Sequence, residues 1–393
     1  MKAMLRRTGL GLFLAIALGL IQPILAAPVG ANGFTIETVI ENVGLPWSLN
    51  FTPDGRLLFT SRDTGTIHAL DVDTAQLTTF TPAFPVRVGG EGGLLGMVLD
   101  PDFATNNVLY VCYSVAVEDA PSPRLVASQF LPITMREQRS MAGDQTVEGV
   151  VNVVSRLILD GTQLRDEELL VAMPYALIHN GCRLAFSPDS AYLFITMGDA
   201  ANGDRAQDLG SLSGKILRLK RDGTIPDDNP WPGSAIWTLG HRNPQGLAFE
   251  PGTGRLWSTE HGPSTQDELN VIKKGRNYGW PTCLGEQPTC PGVADYEPAV
   301  REFYADQTVA TSDMMFYTGT AFPDWQDDLF FVTLKTGRLY HLEVSGETVT
   351  SEERLVDGEY GRLRDVVEGP DGFIYFSTDG RNGTARILRL KPL

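Results

Sequence analysis

Thr52-Pro53-Asp54-Gly55 runs directly into Arg56-Leu57-Leu58-Phe59-Thr60, and the reading of this stretch decides the fold. Proline presets φ for the first turn position, aspartate bonds its own backbone, and glycine takes a positive φ. The residues that follow are aliphatic, aromatic or β-branched, which suits a sheet. The unit recurs as Asp100-Pro101-Asp102 before Val108-Leu109-Tyr110-Val111, and as Ser187-Pro188-Asp189 before Tyr192-Leu193-Phe194-Ile195-Thr196. It returns as Glu250-Pro251-Gly252 before Arg255-Leu256-Trp257, and as Phe322-Pro323-Asp324 before Leu329-Phe330-Phe331-Val332. Gly369-Pro370-Asp371-Gly372 before Phe373-Ile374-Tyr375-Phe376 is the last. The six prolines stand at 53, 101, 188, 251, 323 and 370, which fits blade periods of ~40–50 residues with loop insertions added. No segment reads as a long amphipathic helix with caps. The expected fold is all-β: a six-bladed β-propeller of four-stranded antiparallel blades, a ring that leaves only short, protected edges. Closure requires residues 34–40 to pair within the blade holding residues 385–390. Separate β-sandwiches are the competing architecture, but no linker-like change of composition appears.

The chain has 393 residues, of which 42% are hydrophobic, so a large core is available and disorder is excluded as the main state. Its 48 acidic and 32 basic side chains leave a formal charge of −16, which repels phosphate and excludes nucleic acid as a partner held by bulk charge. Lys2, Arg6 and Arg7 precede an apolar run over residues 9–20, and small residues follow at 26 and 27. This is the pattern of a secretory signal peptide. Residues 1–27 are read as that peptide, and 28–393 as one propeller domain exported to the periplasm or secreted. No other stretch approaches 18 apolar residues, so stable membrane insertion is not expected. Export permits disulfides. Cys283 and Cys290 share a Pro/Gly loop and suit a small-loop bridge, whereas Cys112 and Cys182 read as separate buried small hydrophobes.

Several loops are dense in polar groups. Ile178-His179-Asn180-Gly181 precedes one repeat strand and Gly198-Asp199 follows it, so strand–turn–strand geometry returns the two together. His179 and Asp199 then suit a His–carboxylate pair acting as a general base, or equally a structural histidine bonded to a turn. Gly240-His241-Arg242-Asn243 carries an arginine that either anchors a salt bridge or stabilises an anion. Glu260-His261-Gly262-Pro263 is a tight turn whose carbonyls suit a hard cation, and Asp267-Glu268 with Tyr278 suggests calcium or a solvated acidic turn. Lys335, Arg362 and Arg364 lie at the ends of repeat strands. Arg362 and Arg364, two apart, face one side and need an anionic partner, either a polyanionic ligand or Asp365 and Glu359.

Taken in order, Gly92-Gly93-Leu94-Leu95-Gly96, Asp100-Pro101-Asp102-Phe103, His179 with Arg183-Leu184, and Gly198-Asp199 resemble the glucose/sorbosone dehydrogenase family. Gly214-Lys215-Ile216-Leu217-Arg218, His241-Arg242-Asn243-Pro244-Gln245-Gly246, Glu260-His261-Gly262-Pro263 and Asn277-Tyr278-Gly279-Trp280-Pro281 extend the match. The nearest resemblance is to its soluble aldose sugar dehydrogenases, which use pyrroloquinoline quinone and calcium. The resemblance implies oxidation of an aldose, with His179 as base, Asp199 orienting it and Arg242 stabilising the oxyanion. It implies that Glu91, Arg242, Asn243, Lys335, Arg362 and Arg364 contact the quinone, and that Gly262 and Pro263 give main-chain oxygens to its calcium. Asp267, Glu268 and Tyr278 match a second, structural calcium site. An external electron acceptor, a cytochrome or a quinone, completes the reaction. The chain departs from the family at Glu91, where Gln is usual; a carboxylate there is expected either to oppose a reduced quinone or to sit protonated. Ile178 stands where the glucose-specific branch carries an acid, so broad aldose oxidation is expected. A calcium-dependent propeller hydrolase such as a lactonase and a non-catalytic binding propeller are the alternatives; the basic cluster argues against the first, and Glu91 keeps the second open.

Overall fold

The structure is a computed structural model that describes residues 33–82, 84–120, 146–161, 163–304, 308–380 and 384–393. The expected signal peptide, residues 1–27, lies outside the described residues. Six four-stranded sheets form six blades of antiparallel strands. The first strand of each blade lies innermost, where neighbouring blades meet: Pro46–Phe51, Leu94–Leu99, Leu184–Phe186, Pro244–Phe249, Thr311–Phe316 and Leu363–Glu368. Each repeated proline turn joins this strand to the second of its blade. At the first turn Gly55 N–H donates to Thr52 O at 2.9 Å with Gly55 at φ +87°, and Ser190 at φ +62° takes the same position in the third blade.

Successive side chains on a strand point to opposite faces, and here both faces are covered. Leu57 and Phe59 pack with Tyr375 and Ile387 of the sixth blade, while Leu58 between them packs with Leu94 and Leu109 of the second. The repeat strands therefore read as unbroken apolar runs rather than as alternating patterns. Six such clusters fill the interfaces between successive blades, the one between the sixth and the first included. The ring closes as expected: Phe34–Glu41 pairs antiparallel with Arg386–Pro392, from Phe34 opposite Pro392 to Glu41 opposite Arg386.

Cys283 and Cys290 form the expected bridge. The expectation for the other two cysteines is corrected: Cys112, on the strand Val108–Ala116, is bonded to Cys182 in the turn that enters the third blade. Both are fully buried, and burial alone is what the sequence pattern captured. Seventy residues separate the pair, a loop whose closure is worth about 4 kcal/mol on the chain-entropy model, against about 2 kcal/mol for the seven-residue loop of Cys283–Cys290. Replacing Cys112 and Cys182 together by alanine is expected to lower unfolding free energy by about twice as much as replacing Cys283 and Cys290. Denaturant titration of the two double variants measures this, and equal losses contradict it.

Candidate active site

Antiparallel pairing returns the end of each blade's second strand to the start of its first. The loops entering the innermost strands and those leaving the second strands therefore open on one face, opposite the proline turns. In the third blade Leu184 pairs with Ile195, and this register sets His179 beside Asp199, with Nδ1 2.7 Å from Oδ1. The carboxylate accepts, so Nδ1 carries a proton, and in the neutral ring the lone pair is on Nε2. His179 has φ +61°, a conformation that is uncommon outside glycine, and neighbouring groups hold it there. Its N–H donates to Glu91 Oε2 at 2.7 Å, and its carbonyl accepts from Ala200 N–H at 3.3 Å. Glycine at 198 leaves room for that carbonyl, which a Cβ would approach to 2.1 Å. The Glu91 carboxylate is thus engaged with the turn of the base, not left as a bare charge facing the cavity.

Beside this turn lies a cavity of about 220 Å³ lined by Trp47, Glu91, His261, Lys335, Arg362 and Arg364, among others. Arg362 Nε lies 2.6 Å from Asp379 Oδ2, and Arg364 Nη2 lies 4.0 Å from the same oxygen. Asp379 is therefore their shared local anion. Asp365 and Glu359, the acids suggested by proximity in sequence, are not: Asp365 instead lies 2.5 Å from Arg183 Nη1. Burial, with Arg62 and Arg362 nearby, pushes the Arg364 guanidinium down to about 9, and Asp379 offsets only part of this. Burial likewise pushes His261 down to about 3, so this imidazole is neutral at pH 7.

Arg242 and Asn243 enter the same region. Arg242 Nη1 donates to His261 O at 3.2 Å, while Arg242 Nε and Asn243 Nδ2 are buried donors without an acceptor among the described residues. Such groups are costly unless an acceptor arrives. Two orphaned donors and three converging cations are the donor set that a flat polycarboxylate with ring carbonyls requires, so these residues fit pyrroloquinoline quinone. Gly262 N–H donates to Asp267 Oδ1 at 3.0 Å, and a Cβ on Gly262 would fall 1.8 Å from Gln266 O. The carbonyls of Gly262 and Pro263 accept no backbone hydrogen bond among the described residues, so both suit a hard cation.

Asp267 is turned away from the other two, whereas Glu268 and Tyr278 line one small cavity with Glu260. Asp267 and Glu268 are successive residues of the strand Asp267–Ile272 and point to opposite faces. Asp267 accepts from Gly262 and Ala310 N–H, and its carboxyl is raised by burial. Tyr278 donates to Val271 O at 2.6 Å and stacks on His241. Glu268 accepts from Gly285 N–H at 2.6 Å and is pushed up to about 8 by burial, with the Glu260 and Glu302 charges adding to it. Beside it, Asn270 Oδ1 and Glu302 Oε2 are buried oxygens without a donor among the described residues, which is hard-cation chemistry.

The model for the Glucose / Sorbosone dehydrogenase family matches residues 43–389. The chain belongs to that family. It is 33% identical to aldose sugar dehydrogenase YliI of Escherichia coli over 97% of this chain and 98% of the relative. Quinoprotein glucose dehydrogenase B of Acinetobacter calcoaceticus is 26% identical, over 90% and 87% of the two chains. Among solved structures, the PQQ-bound aldose sugar dehydrogenase of Streptomyces coelicolor superposes with a TM-score of 0.73 at 30% identity, covering 91% of this chain and 98% of the other. The apo-form of the soluble aldose sugar dehydrogenase of Escherichia coli gives 0.76 at 32% identity, covering 92% and 100%.

Within this family member, three site residues carry no signal as single positions in the sequence. Trp47 lies in the cavity with the Arg183 and Arg364 guanidiniums 4.4 and 5.6 Å from its ring centroid. Arg183 bridges Asp313 at 3.0 Å and Asp365 at 2.5 Å, tying together the innermost strands of the third, fifth and sixth blades. Both acids are raised by burial. Trp280 reaches Asp199 from the segment between the third and fourth strands of the fourth blade.

Proposed function

We propose that this protein oxidises the C1–OH carbon of aldose sugars, with electrons leaving to an external acceptor. One observation carries the reading: the oriented His179–Asp199 pair stands beside a cavity into which Lys335, Arg362 and Arg364 converge. Pyrroloquinoline quinone, when bound, supplies the hydride acceptor. Lys335, Arg362 and Arg364 bind its carboxylates, and Arg242 and Asn243 donate to its ring oxygens. Gly262 and Pro263 hold the associated calcium through their carbonyls, and Glu268 contributes to a second, structural calcium. His179 takes the hydroxyl proton on Nε2. Asp199 keeps the tautomer and stabilises the imidazolium that forms. Arg242, already desolvated, needs little reorganisation to stabilise the developing oxyanion.

Ile178 supports a broad range of aldoses over glucose alone. The two disulfides support work in the periplasm or outside the cell, with residues 28–393 as the mature chain. No helix among the described residues is long and apolar enough to cross a membrane. A lactonase-like hydrolase needs acidic side chains around a central metal, whereas this cavity carries one carboxylate, Glu91, against three cations. The deciding experiment adds pyrroloquinoline quinone and calcium to the apo-protein and follows reduction of an artificial acceptor across an aldose panel. Quinone binding with sugar-dependent reduction is the expected result. A protein that does not bind the quinone rules the proposal out, and one that binds it but reduces nothing is a binding propeller.

A further inference from the structure

The carboxylate that orients His179 is itself held on both oxygens. Asp199 is 1% exposed. Its Oδ1 takes His179 Nδ1–H at 2.7 Å and Ala201 N–H at 2.8 Å, and its Oδ2 takes Trp280 Nε1–H at 2.8 Å. Among the described residues no other donor reaches Oδ2. We propose that Trp280 is a positioning residue for the base, the outer member of a His179–Asp199–Trp280 chain assembled from two blades. The inference rests on the assignment of His179 as base.

The indole is suited to this role for two reasons. Its N–H is a neutral donor, so Oδ2 is fixed in direction while the charge of Asp199 remains available to an imidazolium. A cationic donor would neutralise it. The ring also lies under the second polar group of the site, with the Arg242 guanidinium carbon 5.4 Å from its centroid. Trp280 therefore touches the supports of both the base and the anion-stabilising group.

Trp280 is in turn firmly placed. Its backbone N–H donates to Gly240 O at 3.0 Å, and its backbone carbonyl accepts from Gln207 Nε2–H at 2.7 Å. Gln207 and Asn277 exchange hydrogen bonds at 3.0 and 2.8 Å. Tyr278 N–H donates to Leu239 O at 2.9 Å, which lays this fourth-blade segment along the outer strand of the third. Gly203 backs the ring: a Cβ there would come 3.1 Å from Trp280 Nε1 and 2.9 Å from Pro281 Cβ. Hydrogen-bond partners that orient metal-ligating side chains are worth about 10–100-fold in affinity or activity, and an effect of the same order is expected for a group that orients the carboxylate behind a base.

The test is Trp280→Phe, which keeps an aromatic ring and deletes the N–H. In the quinone- and calcium-loaded protein, kcat is expected to fall about 10–100-fold with KM and quinone affinity nearly unchanged. In the apo-protein, the ¹⁵N-edited NMR signal of His179 Nδ1–H is expected to broaden or move, a readout independent of cofactor and turnover. Unchanged kcat and an unchanged Nδ1–H signal overturn the inference, and so does a parallel loss of quinone affinity, which would make Trp280 a cavity wall. Gly203→Ala is the second variant, needed if Trp280→Phe does not fold. It leaves the N–H in place but displaces it, and a smaller fall in kcat with the same NMR change is expected; no change counts against the proposal. If the wild type oxidises no aldose, the proposed function fails while the apo-protein NMR comparison still decides the positioning.

Discussion

His179→Asn is expected to lower kcat by about 10²–10⁴-fold, the usual worth of a positioned general base, while quinone affinity stays within a few-fold of wild type. Asparagine is the informative replacement because His179 has φ +61°, and asparagine tolerates the left-handed region better than most residues. The turn is thereby preserved, together with the N–H that Glu91 accepts. What disappears is the ring nitrogen that takes the hydroxyl proton. Steady-state kinetics of the reconstituted variant and a quinone titration of its apo-form separate the two quantities. Loss of both together would show that His179 shapes the cavity and is not the base.

The second large effect is expected at Arg364, where function and stability should move apart. Arg364 is 6% exposed, and its guanidinium is held down by burial and by neighbouring cations, with the Asp379 oxygen 4.0 Å away. Removing one member of a buried ion pair is destabilising where it leaves the other charge bare, but Asp379 keeps Arg362 at 2.6 Å when Arg364 is removed, and the desolvation cost of the Arg364 guanidinium disappears. Arg364→Met should therefore leave the melting temperature of the apo-protein unchanged or raised. Quinone carboxylates lose a desolvated charged partner, which typically costs about 2–5 kcal/mol, or about 30- to several-thousand-fold in Kd. Thermal unfolding of the apo-protein and quinone titration are the two measurements. A sharply destabilised apo-protein with unchanged quinone affinity would instead identify Arg364 as a structural partner of Asp379.

Different parts of this molecule are legible to different degrees. The turns at 53, 101, 188, 251, 323 and 370 are readable because proline, aspartate and glycine restrict the backbone where they stand. Pairing of residues 34–40 with the last blade follows because an open ring would leave an unpaired edge. The His179–Asp199 pair is readable because only one strand–turn–strand lies between the two residues. Adjacency misleads elsewhere. Asp267 and Glu268 look like one site but face opposite sides of a strand, and Arg364 and Asp365 look like a pair but serve different partners.

Backbone preferences and the period-two pattern act over a few residues, so turns, strands and blade number were already written in the chain, and the ordered motifs added the family. The ring decided which side chains meet. It joined Cys112 to Cys182, brought Arg183 to Asp313 and Asp365, and carried Trp280 across from the fourth blade to Asp199. The physical reason is that closure brings loops from all six blades to one channel mouth, where distance depends on blade geometry and not on separation along the chain.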